Sequence, residues 1–271
     1  MFATLIAVAA LWGAATGLLV PRAAYRLSVE PEEPWRDTCE AGHVLAGPAR
    51  GWLGAPGCPA CPRRPRPLPT SAPTSAPTSG LTPAPSLAPS LTSSLTPVLL
   101  TALSCALLAA AAGPRPELVV WLLCAPFAVL LATVDVRVRR LPDLLTLPLA
   151  AAVPLLLLGA ELLPYDAGSW VQALLGGLAL GGGYFVLHLI RPSGMGFGDV
   201  KLALSLGAAL GWYGWGVLFA GTFAGFLFGS LYGFGLVLVR RGSRKSAIPF
   251  GPFMIGGALL GLLLGALSAS P

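Results

Sequence analysis

Charge is what this sequence has least of. Asp, Glu, Lys and Arg make up only 10% of its 271 residues, while hydrophobic types make up 55%. An ordinary soluble domain carries about a quarter charged residues, so this balance excludes one. Histidine is nearly missing, with His43 and His188 alone. No His-Glu-x-x-His pair, nucleophile-elbow serine or P-loop occurs, which leaves zinc metalloprotease, serine hydrolase and ATPase chemistry without support. His188 has no metal-spaced companion and reads as packing, and Cys105 and Cys124 fall inside apolar runs, where cysteine behaves as a small core residue.

What is abundant is apolar sequence in runs near the ~20 residues that cross a bilayer core. Spans are predicted near 2–20, 98–112, 118–134, 144–160, 170–190, 201–213, 215–239 and 250–267. The fold class expected is therefore an all-α polytopic membrane protein of about eight helices. Residues 1–20 lack the basic start and small-residue cleavage pattern of a secretory signal, so they read as a retained first helix. The net charge of +6 would suit a nucleic-acid partner, but its distribution does not. With the N-terminus outside, every Lys and Arg except Arg115 falls on the inner side, as the positive-inside rule requires. Arg137, Arg139 and Arg140 read as part of that bias. The same topology gathers Asp135, Asp143 and Asp199 on the cytoplasmic face and sends Glu117, Glu161 and Asp166 to the other.

A carboxylate at a membrane boundary is costly and marks a functional site when a partner can be named. Asp199 follows three alternating glycines in Gly194-Met195-Gly196-Phe197-Gly198-Asp199-Val200-Lys201-Leu202, and Asp135 is its partner. Two carboxyls in one polar cavity share a proton, so one residue type supplies both the base that activates water and the acid that polarises a peptide carbonyl. Asp143 follows Pro142 and reads as an N-cap or first-turn carboxylate, or else as a substrate-binding or tuning group. Lys201 tunes Asp199 or snorkels to the interface. Ile248-Pro249-Phe250-Gly251-Pro252-Phe253 breaks the backbone where the last span starts, offering free backbone groups to an extended substrate or simply beginning a helix with proline in its first turn.

Asp135, the Leu141-Pro142-Asp143 turn, the Gly196-Phe197-Gly198-Asp199 run and the Ile248-Pro249-Phe250-Gly251-Pro252-Phe253 segment, in this order, resemble the type IV prepilin peptidases, bacterial leader peptidases of the GxGD aspartyl protease group. The resemblance covers about residues 98–267. It implies a catalytic pair Asp135 and Asp199, supported by Gly194, Gly196, Gly198, Asp143, Lys201, Pro249 and Gly251. It further implies cleavage of a short basic leader from prepilins or pseudopilins, just after a glycine, at the cytoplasmic border of the bacterial plasma membrane. The partners expected are those substrates and membrane lipid, with no nucleic acid.

Four domains are expected: the first helix over 1–20, a cytoplasmic loop module over 21–66, a disordered Pro/Thr/Ser/Ala linker over 67–97, and the peptidase domain over 98–267. In the loop module Cys39, His43, Cys58 and Cys61 offer four zinc-compatible ligands, and a reducing cytoplasm disfavours disulfides there. The alternative is an unliganded, degenerate loop. Full-length members of the resembled family usually carry two Cys-x2-Cys pairs here and an Asn where this chain has Pro21; Gly42 replaces the second cysteine of the first pair. Many members also methylate the new N-terminus with S-adenosylmethionine through this region. The peptidase itself needs no cofactor by the resemblance. The rival class is a transporter or proton relay using the same carboxylates. A third is a purely structural pilus-assembly protein.

Overall fold

The computed structural model describes residues 2–30, 33–39, 41–54, 58, 61, 91–192, 195–239 and 249–269, with residues 91–94 by backbone alone. Two expectations fall outside this set: Gly194 and most of the linker, residues 67–90. The described chain runs as α1 (Phe2–Gly17), α2 (Val20–Leu27), α3 (Pro48–Gly51), α4 (Leu91–Ala112), α5 (Glu117–Val138), α6 (Asp143–Glu161), α7 (Trp170–Ile190), α8 (Phe197–Gly211), α9 (Trp215–Leu238) and α10 (Gly251–Ser268). α3 is a single turn with left-handed Ala49 and Arg50 (φ 51° and 55°). The protein is thus an all-helical, multi-pass membrane protein.

Seven helical segments among the described residues are long and apolar enough to cross a membrane, α1 and α2 counting as one from Phe2 to Leu27. The sequence reading expects eight. The difference is α8, whose 15 residues rise about 22 Å, short of a bilayer core of about 30 Å. α8 is instead the buried centre of the bundle, packed by α6, α7, α9 and α10, and ten of its residues, Asp199 among them, are buried.

Glycine sets how closely these helices approach. A Cβ on Gly207 of α8 would lie 2.5 Å from the Gly176 carbonyl of α7, and one on Gly257 of α10 would lie 2.5 Å from the Gly221 carbonyl of α9. In lipid, where no hydrophobic effect drives helices together, such backbone contact supplies the association. The first of these contacts holds α8, the helix that carries Asp199, closely against α7.

The loop module differs from a plain polar loop. α2 is amphipathic, and its Val20, Ala24 and Leu27 pack on Val129, Leu130 and Val134 of α5. Arg22 and Arg26, which the charge count assigns to topology alone, are 4% and 7% exposed. Arg22 donates to the Ala46 carbonyl at 2.7 Å and Arg26 to the Arg50 carbonyl at 2.9 Å, with the Arg26 guanidinium 4.5 Å from the Trp52 ring centre. A buried guanidinium needs such partners, so these two arginines hold residues 46–52 against the bundle. The Arg140 guanidinium lies 6.0 Å from the Trp35 ring and ties the module to the turn after α5. At the other end of the expected linker, α4 already starts at Leu91, ahead of the predicted boundary at 97.

Candidate active site

Asp135 lies one turn before the end of α5, whose left-handed C-cap Arg139 returns its N–H to the Asp135 carbonyl at 2.8 Å. Its carboxylate is 4% exposed. Asp135 Oδ2 accepts a hydrogen bond from the Gly251 N–H of α10 at 2.9 Å. The first N–H groups of a helix have no partner within it and carry partial positive charge. Gly251 therefore satisfies Asp135 with a helix N-terminus. That N–H is one of the backbone groups of the Ile248–Phe253 segment; it is already committed to the aspartate, and Phe250 caps the helix with Pro252 in its first turn. Ile248 lies outside the described residues.

Asp199 is held in the same manner from a different helix. It is the third residue of α8, where its Oδ2 accepts the Gly196 N–H at 3.2 Å while its own N–H donates to the Gly196 carbonyl at 3.1 Å. The glycines serve close approach: a Cβ on Gly198 would sit 2.9 Å from the Leu141 side chain. Asp199 is 8% exposed. Burial, and next the neighbouring Asp135, push its carboxyl up to about 6, against the Gly196 N–H that lowers it. The structure therefore brings Asp135 and Asp199 into electrostatic range, with a proton retained more readily than on an exposed carboxyl.

The other motif residues have different places. Asp143 is the first residue of α6, a first-turn carboxylate, whereas Pro142 occupies the cap position and no side chain caps that helix, so the N-cap alternative is corrected. Asp143 Oδ1 also pairs with Lys201 Nζ at 2.6 Å, and that ammonium lies 4.9 Å from the Phe197 ring. Lys201 thus joins the start of α6 to the first turn of α8, its ammonium reaching the exposed Asp143 carboxylate. His188, read from sequence as packing, also donates from Nδ1 to the Met195 carbonyl at 2.9 Å and so braces the glycine run. Only its place shortly before that run hints at this from sequence. Pro249 lies in the coil before α10.

Cys39, His43, Cys58 and Cys61 do converge, their ligand atoms all within 4.8 Å of one another. A short bridge between Thr38 and Val44, with the Cys39 N–H on the His43 carbonyl at 2.9 Å, folds the first two ligands together. Cys39 Sγ is 3.6 Å from Cys61 Sγ and 3.6 Å from His43 Nδ1, and Cys61 Sγ is 3.4 Å from that nitrogen. A tetrahedral zinc with bonds of about 2.0–2.3 Å separates its ligand atoms by roughly 3.5–3.8 Å, so this set fits the ion.

The carboxyl pair can perform hydrolysis. The ionised member takes a proton from a water as its oxygen attacks a peptide carbonyl, while the protonated member donates to the carbonyl oxygen; the proton gained from water then passes to the leaving amine. With the shared proton lost at high pH, the rate should fall. We expect kcat/KM to drop about tenfold per pH unit above a break near 6, with the break in kcat at higher pH because substrate excludes further water. A pH–rate profile from about pH 5 to about pH 9 checks this; a rate that rises through that range would contradict a shared proton.

The fold and the carboxyls define a class: a polytopic helical membrane protein with two buried aspartates, one from each of two helices, each held by a backbone N–H. Within it, residues 122–238 match the family model described as the Type IV leader peptidase family. Over those residues the membrane body is similar to that family. Curated relatives agree. A protein of Aeromonas salmonicida (strain A449) named "Prepilin leader peptidase/N-methyltransferase" is 37% identical over 150 residues, 55% of this chain and 48% of its own length. Proteins with the same name from Bacillus subtilis (strain 168) and Pseudomonas putida are 32% identical over 167 residues and 33% identical over 173 residues. Each match covers 59% of this chain, and 63% and 56% of those relatives. The chain spans about half the length of the Aeromonas relative it matches. No solved structure matches it.

Proposed function

We propose that this protein is a membrane aspartyl endopeptidase that removes the N-terminal leader from prepilins or prepilin-like pseudopilins, with Asp135 and Asp199 as its catalytic pair. The observation that carries the reading is the pair itself, two buried aspartates from α5 and α8 in electrostatic range. The relatives' names supply the substrate class. The positive-inside distribution supports an N-terminus outside and a site on the cytoplasmic face of the bacterial plasma membrane. That is where the leader of a substrate with a hydrophobic helix remains. A transporter reading is not favoured by the three relatives described above, each of which bears a peptidase name.

The test is mass spectrometry of a prepilin-type substrate after incubation with the purified protein in lipid. The expected product begins at the residue after the glycine that precedes the hydrophobic helix. An intact substrate across several leader sequences would refute the proposal.

The relatives' second activity suggests methylation of the new N-terminus with S-adenosylmethionine, through the 21–66 module. Here Pro21 and Gly42 depart from the usual pattern, and the peptidase does not require this step. In that module Cys39, His43, Cys58 and Cys61 would hold a structural zinc, which supplies folding energy to a loop with little core of its own. Metal analysis should find about one zinc per chain in wild type and almost none in Cys39→Ser/Cys61→Ser. Wild type purified without zinc, and gaining none on addition, would contradict the assignment.

A further inference from the structure

A single peptide unit stands between His188 of α7 and the carboxylate of Asp199. His188 Nδ1 lies 2.9 Å from the Met195 carbonyl oxygen, and the N–H of that same peptide, the one of Gly196, donates to Asp199 Oδ2 at 3.2 Å. A carbonyl only accepts, so the hydrogen of the first contact sits on Nδ1. A peptide is planar, with its C=O and N–H pointing opposite ways, so fixing the oxygen at one end aims the hydrogen at the other. Imidazole, peptide and carboxylate form one chain of hydrogen bonds.

This peptide has little else to set its rotation. The Met195 side chain packs on the buried cluster of Leu131, Leu141 and Val200, which anchors the residue but not the plane that follows it. Gly196, on the other side of the plane, has no Cβ to restrict it. Where a Cβ would stand, only Asp199 Oδ2 at 3.5 Å and the Gly198 nitrogen at 3.9 Å come close. The imidazole also lies 5.5 Å from the Phe197 ring, so His188 meets the residues on both sides of Gly196. Hydrogen bonds in series polarise one another, so a donor on the Met195 oxygen makes the Gly196 N–H a stronger donor in turn. The other titratable groups acting on Asp199 are Asp135 of α5 and Tyr184 of α7, while Lys201 is paired with Asp143.

We propose that His188 is a positioning residue for Asp199: through the 195–196 peptide it aims the Gly196 N–H and so sets how firmly that carboxylate is held, in place and in its ionised form. As a statement about the reaction this rests on the peptidase reading. As a statement about Asp199 it is tested without any cleavage.

His188→Phe keeps a ring against Phe197 and removes the donor. With the Gly196 N–H weakened, ionised Asp199 loses support, so its midpoint should rise from about 6 by roughly half to one pH unit. NMR titration of isotope-labelled aspartate carboxyls, with Asp199→Asn to assign the signal, reads this directly. The alkaline break in kcat/KM should move by the same amount, and kcat should fall about tenfold with KM changed less than about twofold. His188→Asn, whose amide nitrogen can stand where Nδ1 does, should restore both. A lowered rate with midpoint and break unmoved would make the ring merely structural and overturn the inference. So would a folded His188→Asn that behaves like His188→Phe. If wild type cleaves nothing while the Asp199 midpoint still moves in His188→Phe, the peptidase reading fails and this one stands.

Discussion

Asp199→Asn should abolish cleavage and make the protein more stable. The rate loss expected is at least about 1,000-fold, because the amide can neither share the proton nor activate water. The stability gain follows from burial. The Asp199 carboxyl rises from 3.8 to about 6 on folding, so the folded state binds its proton more tightly than the unfolded chain does. Its charge therefore costs nothing at low pH, an increasing amount as pH climbs from about 4 to 6, and its full amount above that. Two pH units correspond to at most about 3 kcal/mol. The variant should melt several degrees above wild type near pH 8 and at about the same temperature near pH 4. Asp135→Asn should be equally inactive. Inactive variants that melt no higher near pH 8 would mean that the Asp199 carboxylate is better solvated than its burial indicates.

Gly251→Ala should cost about 100-fold in kcat without unfolding the protein. The added Cβ would stand 2.8 Å from Asp135 Oδ2. The backbone of α10 is fixed by its contact with α9, so the carboxylate is the group that moves, and it loses its N–H partner as it does. Misplacing a reacting group by about an ångström commonly costs that much. Gly256→Ala is the control on the same helix. Its Cβ would find only the edge of Phe228, at 3.8 Å, and its activity should match wild type. Steady-state kinetics of the two variants, with melting curves, separate a site effect from a packing effect. Equal activity in both would remove Gly251 from the site.

The parts of this arrangement that the sequence exposes are those with a local signature. The spans follow from uninterrupted apolar runs, and the aspartates follow from charge on one face beside a glycine run. The Cys and His ligands follow from their spacing; their convergence then depends on a turn between Thr38 and Val44 that no composition announces. What the sequence hides is pairing across long separations. Nothing near Gly251 says that its N–H belongs to Asp135 in a helix far earlier in the chain. Lys201 and Asp143 each have an ordinary local reading, and only the packing of α6 on α8 shows that they pair with each other. Arg22 and Arg26 read as surface charge because arginine usually is, yet each finds a carbonyl in a loop more than 20 residues on and is buried. α8 reads as a span because its residues are apolar; apolarity does not distinguish lipid from surrounding helices as the burying medium.

The central claim is that Asp135 and Asp199 act as one unit on one proton, and a double-mutant cycle addresses it most directly. Cleavage rates of wild type, Asp135→Asn, Asp199→Asn and the double variant are compared in the same lipid, with folding verified by melting. A shared-proton pair predicts that the double variant is no slower than either single one, because each substitution alone already removes the whole function. Losses that multiply, or a single variant retaining more than about a tenth of the wild-type rate, would show two independent contributions and contradict the pair.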